Sequence, residues 1–215
     1  RSIVYYRGHG SFSGLGSVGF NKDQAQNLRN SNKYPVFFNF TCLTGTFAEH
    51  AKTNPCFSEY LLRMNNAGAV GVSGNSAVGW SPTTESLAKG VFSSIYNDKI
   101  SSVGDALTRG LLIMGSSSTY HEHMHKVTHY FGDPSMEIWT DVPTCLTPTI
   151  TKEGSSIRVK TGGVSGCKVT ICRISDMTIL DTLTISGTEK LFNVGNAPCY
   201  VTITKHNYIP YVGVV

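Results

Sequence analysis

Charge is scarce in this sequence: Asp, Glu, Lys and Arg together make up only 15% of its 215 residues. The formal net charge is +4 and no run of five or more basic residues occurs, so there is no electrostatic footprint for a nucleic acid. Long apolar runs are also missing. Nothing approaches the roughly 18 residues that a membrane-crossing helix needs, and no signal peptide, lipidation motif, internal repeat or low-complexity tract stands out. None of the six cysteines forms a CxxC pair, which argues against zinc ribbons and thioredoxin-like redox chemistry.

What is there reads as a folded, loop-rich protein. Apolar residues make up 40% and glycines number 22, with abundant Ser, Thr and Asn, a texture suited to an extracellular protein. The length supports one large domain or two small ones. Cys42 and Cys56 lie in the first part of the chain, and Cys145, Cys167, Cys172 and Cys199 in the second. In an oxidising compartment some of the last four are able to pair, but Cys167 and Cys172 point to opposite faces if they share a strand. The chain starts at Arg1 and runs directly into an apolar segment, so its N-terminus reads as cut.

The pattern changes near Pro143. Before it, strand-like runs (2–6, 35–41, 69–73) alternate with helical patterns (23–30, 57–66, 84–97, 103–114, 120–130), which predicts crossovers and a largely parallel sheet covered on both faces. A short strand is expected after Gly132-Asp133-Pro134. Beyond Pro143 the segments SSIRVKT, KVTICRIS, TILDTLTI, KLFNVG, CYVTITK and PYVGVV alternate apolar and polar residues between turn residues, which predicts a small immunoglobulin-like sandwich without the Cys and Trp hallmarks of antibody domains. The expected domains are 1–142 and 143–215.

In an open parallel sheet, functional groups gather at the carboxyl ends of the strands. His9, in YYRGHG, follows the first strand, and Cys42 follows PVFFNFT one crossover later. Together they would present an imidazole and a thiol to one cleft. A free thiol is mostly protonated at neutral pH, and an imidazole that takes its proton makes a thiolate nucleophile. His9 then returns a proton to the leaving amine, and the N–H groups of Gly10 and Cys42 are candidate donors to the oxyanion. Gly8 and Gly10 would keep the approach of a peptide clear.

A competing motif is HEHMH. His121 and His125 fit H-E-x-x-H, with Glu122 as base, and His129 follows four residues later. That spacing matches zinc ligands on one helical face, but the third-ligand spacing of metzincins is not met. A histidine-bearing helix face is the plainer reading. Cys56 and Glu59 suit a helix start, Asp133 a turn, and His50 and His206 the surface.

The segments YYRGHGS, VFFNFTCLTGTF, NPCFSEYLLRMNNAGAVGVSGNSAVGW, YFGDPSMEIWT and YVTITKHNYIPY resemble the gingipain family of secreted cysteine peptidases. The resemblance implies a caspase-like α/β fold followed by an immunoglobulin-like domain, with Cys42 as nucleophile and His9 as general acid and base. It further implies that SGNSAVGW lines the pocket for the residue before the scissile bond, with Trp80 as a wall and Ser73 offering backbone groups to the substrate. Structural calcium is an expectation of the same kind, as is an extracellular or bacterial cell-surface location. Strands that precede the histidine strand in caspase-like domains are not in the sequence, so a noncovalently bound N-terminal fragment of the same precursor is expected as partner, beside peptide and protein substrates. Two other classes stay open: a zinc metallopeptidase on the HEHMH helix, and a non-catalytic surface adhesin.

Overall fold

Apolar, β-branched and aromatic runs pair first. In the computed structural model, which describes residues 3–49 and 53–215, β1 (Ile3–Arg7) lies parallel to β2 (Val36–Phe40), Ile3 opposite Val36. β3 (Gly71–Asn75) continues in parallel, and β4 (Thr128–Gly132) joins it antiparallel. The order is β1-β2-β3-β4. β2 and β3 are buried along their whole length, as strands covered on both faces must be.

The alternation of β2 splits its side chains between two cores. Val36, Phe38 and Phe40 pack against α2 (Ser81–Tyr96) and α3 (Val103–Met114), where Leu87, Val91 and Leu107 are buried with them. Phe37 turns to the other face, onto Phe57 and Leu61 of α1 (Phe57–Arg63). Pro82 in the first turn of α2 sits where its missing N–H has no helical partner to lose. α3 starts at Ser102, whose Oγ accepts from the Asp105 N–H at 3.3 Å. Glycines let these two helices close up, since a Cβ on Gly90 would fall 2.6 Å from the Gly110 carbonyl oxygen.

Two expected elements differ. The helix expected over 23–30 is a single turn, Lys22–Ala25, capped by the Asn21 side chain. Only Ala25 is buried there, so packing does not extend it. The helix expected to run through residue 130 ends earlier: α4 covers Thr119–Val127, and the strand expected beyond Gly-Asp-Pro instead precedes it as β4. Thr128, Tyr130 and Phe131 suit a ladder, and Ser73 pairs with Tyr130 across it.

The chain divides into two compact units, Arg1–Ile138 and Trp139–Val215. The second is built from β5 (Thr149–Glu153), β6 (Ser156–Lys160), β7 (Cys167–Arg173), β8 (Ile179–Ile185), β9 (Glu189–Asn193), β10 (Cys199–Thr204) and β11 (Tyr211–Val214). They form two antiparallel sheets, β9-β6-β5 and β8-β7-β10-β11. Ile157 and Val159 from one and Val169, Ile171, Val201 and Ile203 from the other share a core. β5 went unread in the sequence because TITKE is half polar and half exposed. All six cysteines are free thiols, Cys167 and Cys199 buried and Cys172 half-buried.

Candidate active site

The ends of β1 and β2 meet at the top of the first unit. Thr41 Oγ1 donates to the Gly8 carbonyl at 2.6 Å and ties the two strand ends together. Tyr6 OH and the Gly16 N–H both donate to the His9 carbonyl, each at 2.8 Å, and the His9 N–H reaches Ser17 Oγ at 3.3 Å. The histidine backbone is thus fixed on several sides while its side chain stays exposed.

Gly10 is required by a different neighbour from the one expected. A Cβ there would fall 2.6 Å from the Cys42 carbonyl oxygen, and one on Gly8 would strike the Tyr6 ring. Gly10 therefore lets the His9 strand end lie against the Cys42 turn, while Gly8 leaves room for the Tyr6 hydroxyl.

Cys42 sits at the apex of that turn, half-buried. The next residue, Leu43, has φ 57°, a left-handed conformation that a leucine seldom adopts. It is held there by its N–H on the Ala77 carbonyl at 3.2 Å and by Thr46 Oγ1, which donates to its carbonyl. Across the cleft, the Gly79 N–H points at Cys42 Sγ at 3.4 Å, and the Gly79 carbonyl accepts from the thiol at 3.3 Å. His9, Cys42, Thr41 and Gly79 line one cavity of about 230 Å³, which Arg7 and Ser81 complete on the side of α2. Gly79 falls within SGNSAVGW, the segment expected to line the pocket, whereas no chemistry-bearing motif marks Leu43 or Arg7.

The remaining expected residues fall elsewhere. Ser73 is 1% exposed, its Oγ accepts the Asn39 N–H at 3.0 Å, and its strand is paired on both sides. Its side chain braces the sheet. Trp80 is 37% exposed and its ring turns to Tyr120 and His123, at centroid distances of 4.7 and 4.9 Å. It forms an aromatic shelf beside the cavity rather than its lining. His123 in turn bonds the Val78 carbonyl at 2.9 Å, which braces the segment that carries Gly79.

The histidine helix does not assemble a metal site. His121 Nδ1 bonds Ser118 Oγ at 2.7 Å and His125 Nε2 bonds the Gly115 carbonyl at 3.0 Å. His129 is on β4, bonded to Ser76 Oγ at 2.9 Å, and burial holds its pKa below the ordinary value. Glu122 lies in the first turn of α4, where a carboxylate favours the helix N-terminus. Among the described residues no three His, Cys, Asp or Glu side chains converge as a metal would require. Cys56 is fully buried before α1, burial pushes its thiol up to about 11, and its N–H is taken by Glu59 Oε2 at 3.0 Å. That leaves a poor nucleophile. Asp133 caps its own turn through Ser135, and His206 meets Thr140 Oγ1 at 3.2 Å. Arg1 and His50 lie outside the described residues.

A family model described as Peptidase family C25 matches residues 1–139. Gingipain R1 of Porphyromonas gingivalis is 29% identical over 159 residues, covering 69% of this chain and 16% of that protein. Lys-gingipain W83 of the same organism is 24% identical and covers 98% of this chain but 14% of its own length. Among solved structures, the Arg specific cysteine proteinase gingipain R (RGPB) is similar over 100% of this chain and 52% of that one, with a TM-score of 0.85 at 22% identity. The complex of Porphyromonas gingivalis RgpB pro- and mature domains gives a TM-score of 0.82. The chain spans about half of the solved relative and less than a fifth of those two curated ones, and the mixed α/β fold expected from the strand and helix pattern is the fold found.

Proposed function

The chain belongs to peptidase family C25, and from that premise we propose that it is a secreted cysteine endopeptidase in which Cys42 is the nucleophile and His9 the general acid and base. One observation carries the reading: adjacent parallel strands deliver both side chains to the same cavity. His9 takes the proton from Cys42 Sγ, and the thiolate attacks the scissile carbonyl carbon. The N–H groups of Gly10 and Cys42 donate hydrogen bonds to the developing oxyanion. Collapse of the tetrahedral intermediate expels the amine, which takes its proton from His9, and leaves a thioester on Cys42. Water, deprotonated by His9, then releases the acid and restores the thiol.

The substrates are peptides and proteins, with Trp80 and its aromatic neighbours as a surface for the chain before the scissile bond. No cofactor enters this chemistry. Structural calcium belongs to the family resemblance, and no cluster among the described residues favours it. An N-terminal fragment of the same precursor is the proposed partner. β1 forms one edge of the described sheet, Val4 and Tyr5 are 41% and 47% exposed, and an apolar groove of about 500 Å³ runs beside them. Such an edge invites pairing, and mass spectrometry of the native protein tests whether a fragment travels with it. No helix among the described residues is long and apolar enough to cross a membrane, and an extracellular or cell-surface setting is proposed with the activity.

Cys42→Ala and His9→Ala are expected to lower peptide hydrolysis by about 100-fold or more, and iodoacetamide is expected to label Cys42 as activity is lost. If both variants keep every function of the protein, the non-catalytic adhesin reading replaces this one.

A further inference from the structure

The cavity beside the thiol carries a charge that the proposed mechanism does not use. Arg7 is the last residue of β1, two before His9, and lines the same cavity as Cys42. Nη1 donates to Ser81 Oγ at 3.1 Å, which fixes the head at the start of α2. Nη2 lies 3.5 Å from Glu85 Oε2, but the other oxygen of Glu85 holds Lys89 Nζ at 2.8 Å. Two cations thus share one carboxylate, and the shorter contact goes to Lys89. One positive charge is left over on the cavity side.

Glu85 is the carboxylate in contact with it, and that carboxylate is shared with Lys89. Among the described residues no Asp or Glu lines the cavity itself, and α2 carries no acidic residue in its first turn, where the helix dipole adds a further positive field. A guanidinium has five donors in a planar fork matched to a carboxylate, and the few contacts described leave part of that fork unused. A lysine or arginine side chain entering here would meet a like charge in a partly desolvated space.

We propose that this cavity selects an acidic side chain at the substrate residue before the scissile bond, with Arg7 as the group that recognises it. The proposal rests on the cysteine peptidase reading above and adds the substrate class. It also separates this chain from the solved relative described as Arg specific.

Two measurements on the purified full chain test it. In the first, fluorogenic peptides identical except for Asp, Glu, Gln or Arg before the scissile bond are compared with wild type, Arg7→Gln, Arg7→Lys and Cys42→Ala. Wild type is expected to favour the acidic peptides over the Arg peptide by about 10-fold or more in kcat/KM, the scale of one charged hydrogen-bonded contact. Arg7→Gln is expected to abolish that ratio and Arg7→Lys to keep part of it. A preference of wild type for the Arg peptide, or an acidic preference that survives in Arg7→Gln, overturns the proposal.

The second measurement does not need peptidase activity. Cys42 is alkylated with iodoacetate, an anion, or with neutral iodoacetamide, and labelling is read by peptide mass, with the exposed Cys145 as internal reference. The iodoacetate-to-iodoacetamide rate ratio at Cys42 is expected to fall several-fold in Arg7→Gln and to stay constant at Cys145. An unchanged ratio at Cys42 overturns the proposal. Loss of peptide cleavage in wild type with a responsive alkylation ratio would overturn the peptidase reading while sustaining an anion-selective cavity.

Discussion

Gly10 shows how much of the site depends on the space left by one missing atom. A Cβ there would lie 2.6 Å from the Cys42 carbonyl oxygen, so any side chain must push the His9 strand end away from the thiol. Gly10→Ala is expected to lower stability by about 1–3 kcal/mol through overpacking. Its effect on catalysis is expected to be larger, about 100-fold in kcat/KM, because small displacements of paired catalytic groups are costly. Urea unfolding and peptide hydrolysis on the same preparation separate the two, and full activity in the variant would refute the close approach. The neighbouring Leu43, at φ 57°, places strain at the turn that presents Cys42, where backbone strain often marks function.

Among the elements, the crossing of α2 and α3 is set by glycines that helix propensity alone would discourage. On an isolated helix, Gly→Ala gains about 1 kcal/mol. At Gly110, however, the added Cβ would meet Val91 N at 2.7 Å and the Gly90 crossing would have to open. Overpacking of this kind costs about 1–3 kcal/mol, so Gly110→Ala is expected to destabilise on balance, with a lower urea midpoint. A raised midpoint would mean that the helices separate without loss. The consequence reaches the site, because the α2 residues before this crossing include Ser81 and Glu85, which hold Arg7.

Across the whole molecule, the resolved carboxylate shifts share one sign. Hydrogen bonds from Lys89, Ser135 and Arg158 hold Glu85, Asp133, Glu153 and Glu189 below their ordinary values, and the Thr178 backbone does so for Asp176. Groups with a depressed folded pKa contribute stability that is fully present above the unfolded value and is lost as pH falls through the folded one. Stability is therefore expected to decline below about pH 4.5 in both units. In the second unit Arg158 joins both oxygens of Glu153, at 2.6 and 2.9 Å, to Glu189 at 2.6 Å. Arg158→Met is expected to flatten the fall in urea midpoint between pH 5 and pH 3, and an identical fall in the variant would remove these pairs from the account. The contacts are exposed, so the effect is small.

Periodicity and strand-end position were enough to find β1, β2, the helices over 57–63 and 103–114, and the placement of His9 and Cys42 beyond consecutive strands. Those are local facts, written in the alternation of apolar residues and in turn chemistry within a few positions of each side chain. The rest depends on residues far apart in the chain. Ser73 gains its bond to Asn39 only because its strand lies beside β2 in the sheet. The ladder of His121, His125 and His129 breaks because 128–132 gains more by pairing with β3 than by extending α4. Arg7 acquires a role only when Ser81, Glu85 and Cys42 are brought to one cavity from three segments. The sequence by itself determined which elements form and which strand ends carry an imidazole and a thiol. Only the tertiary structure decided what charge and what backbone groups face them, because those neighbours are chosen by packing across the sheet and not by spacing along the chain.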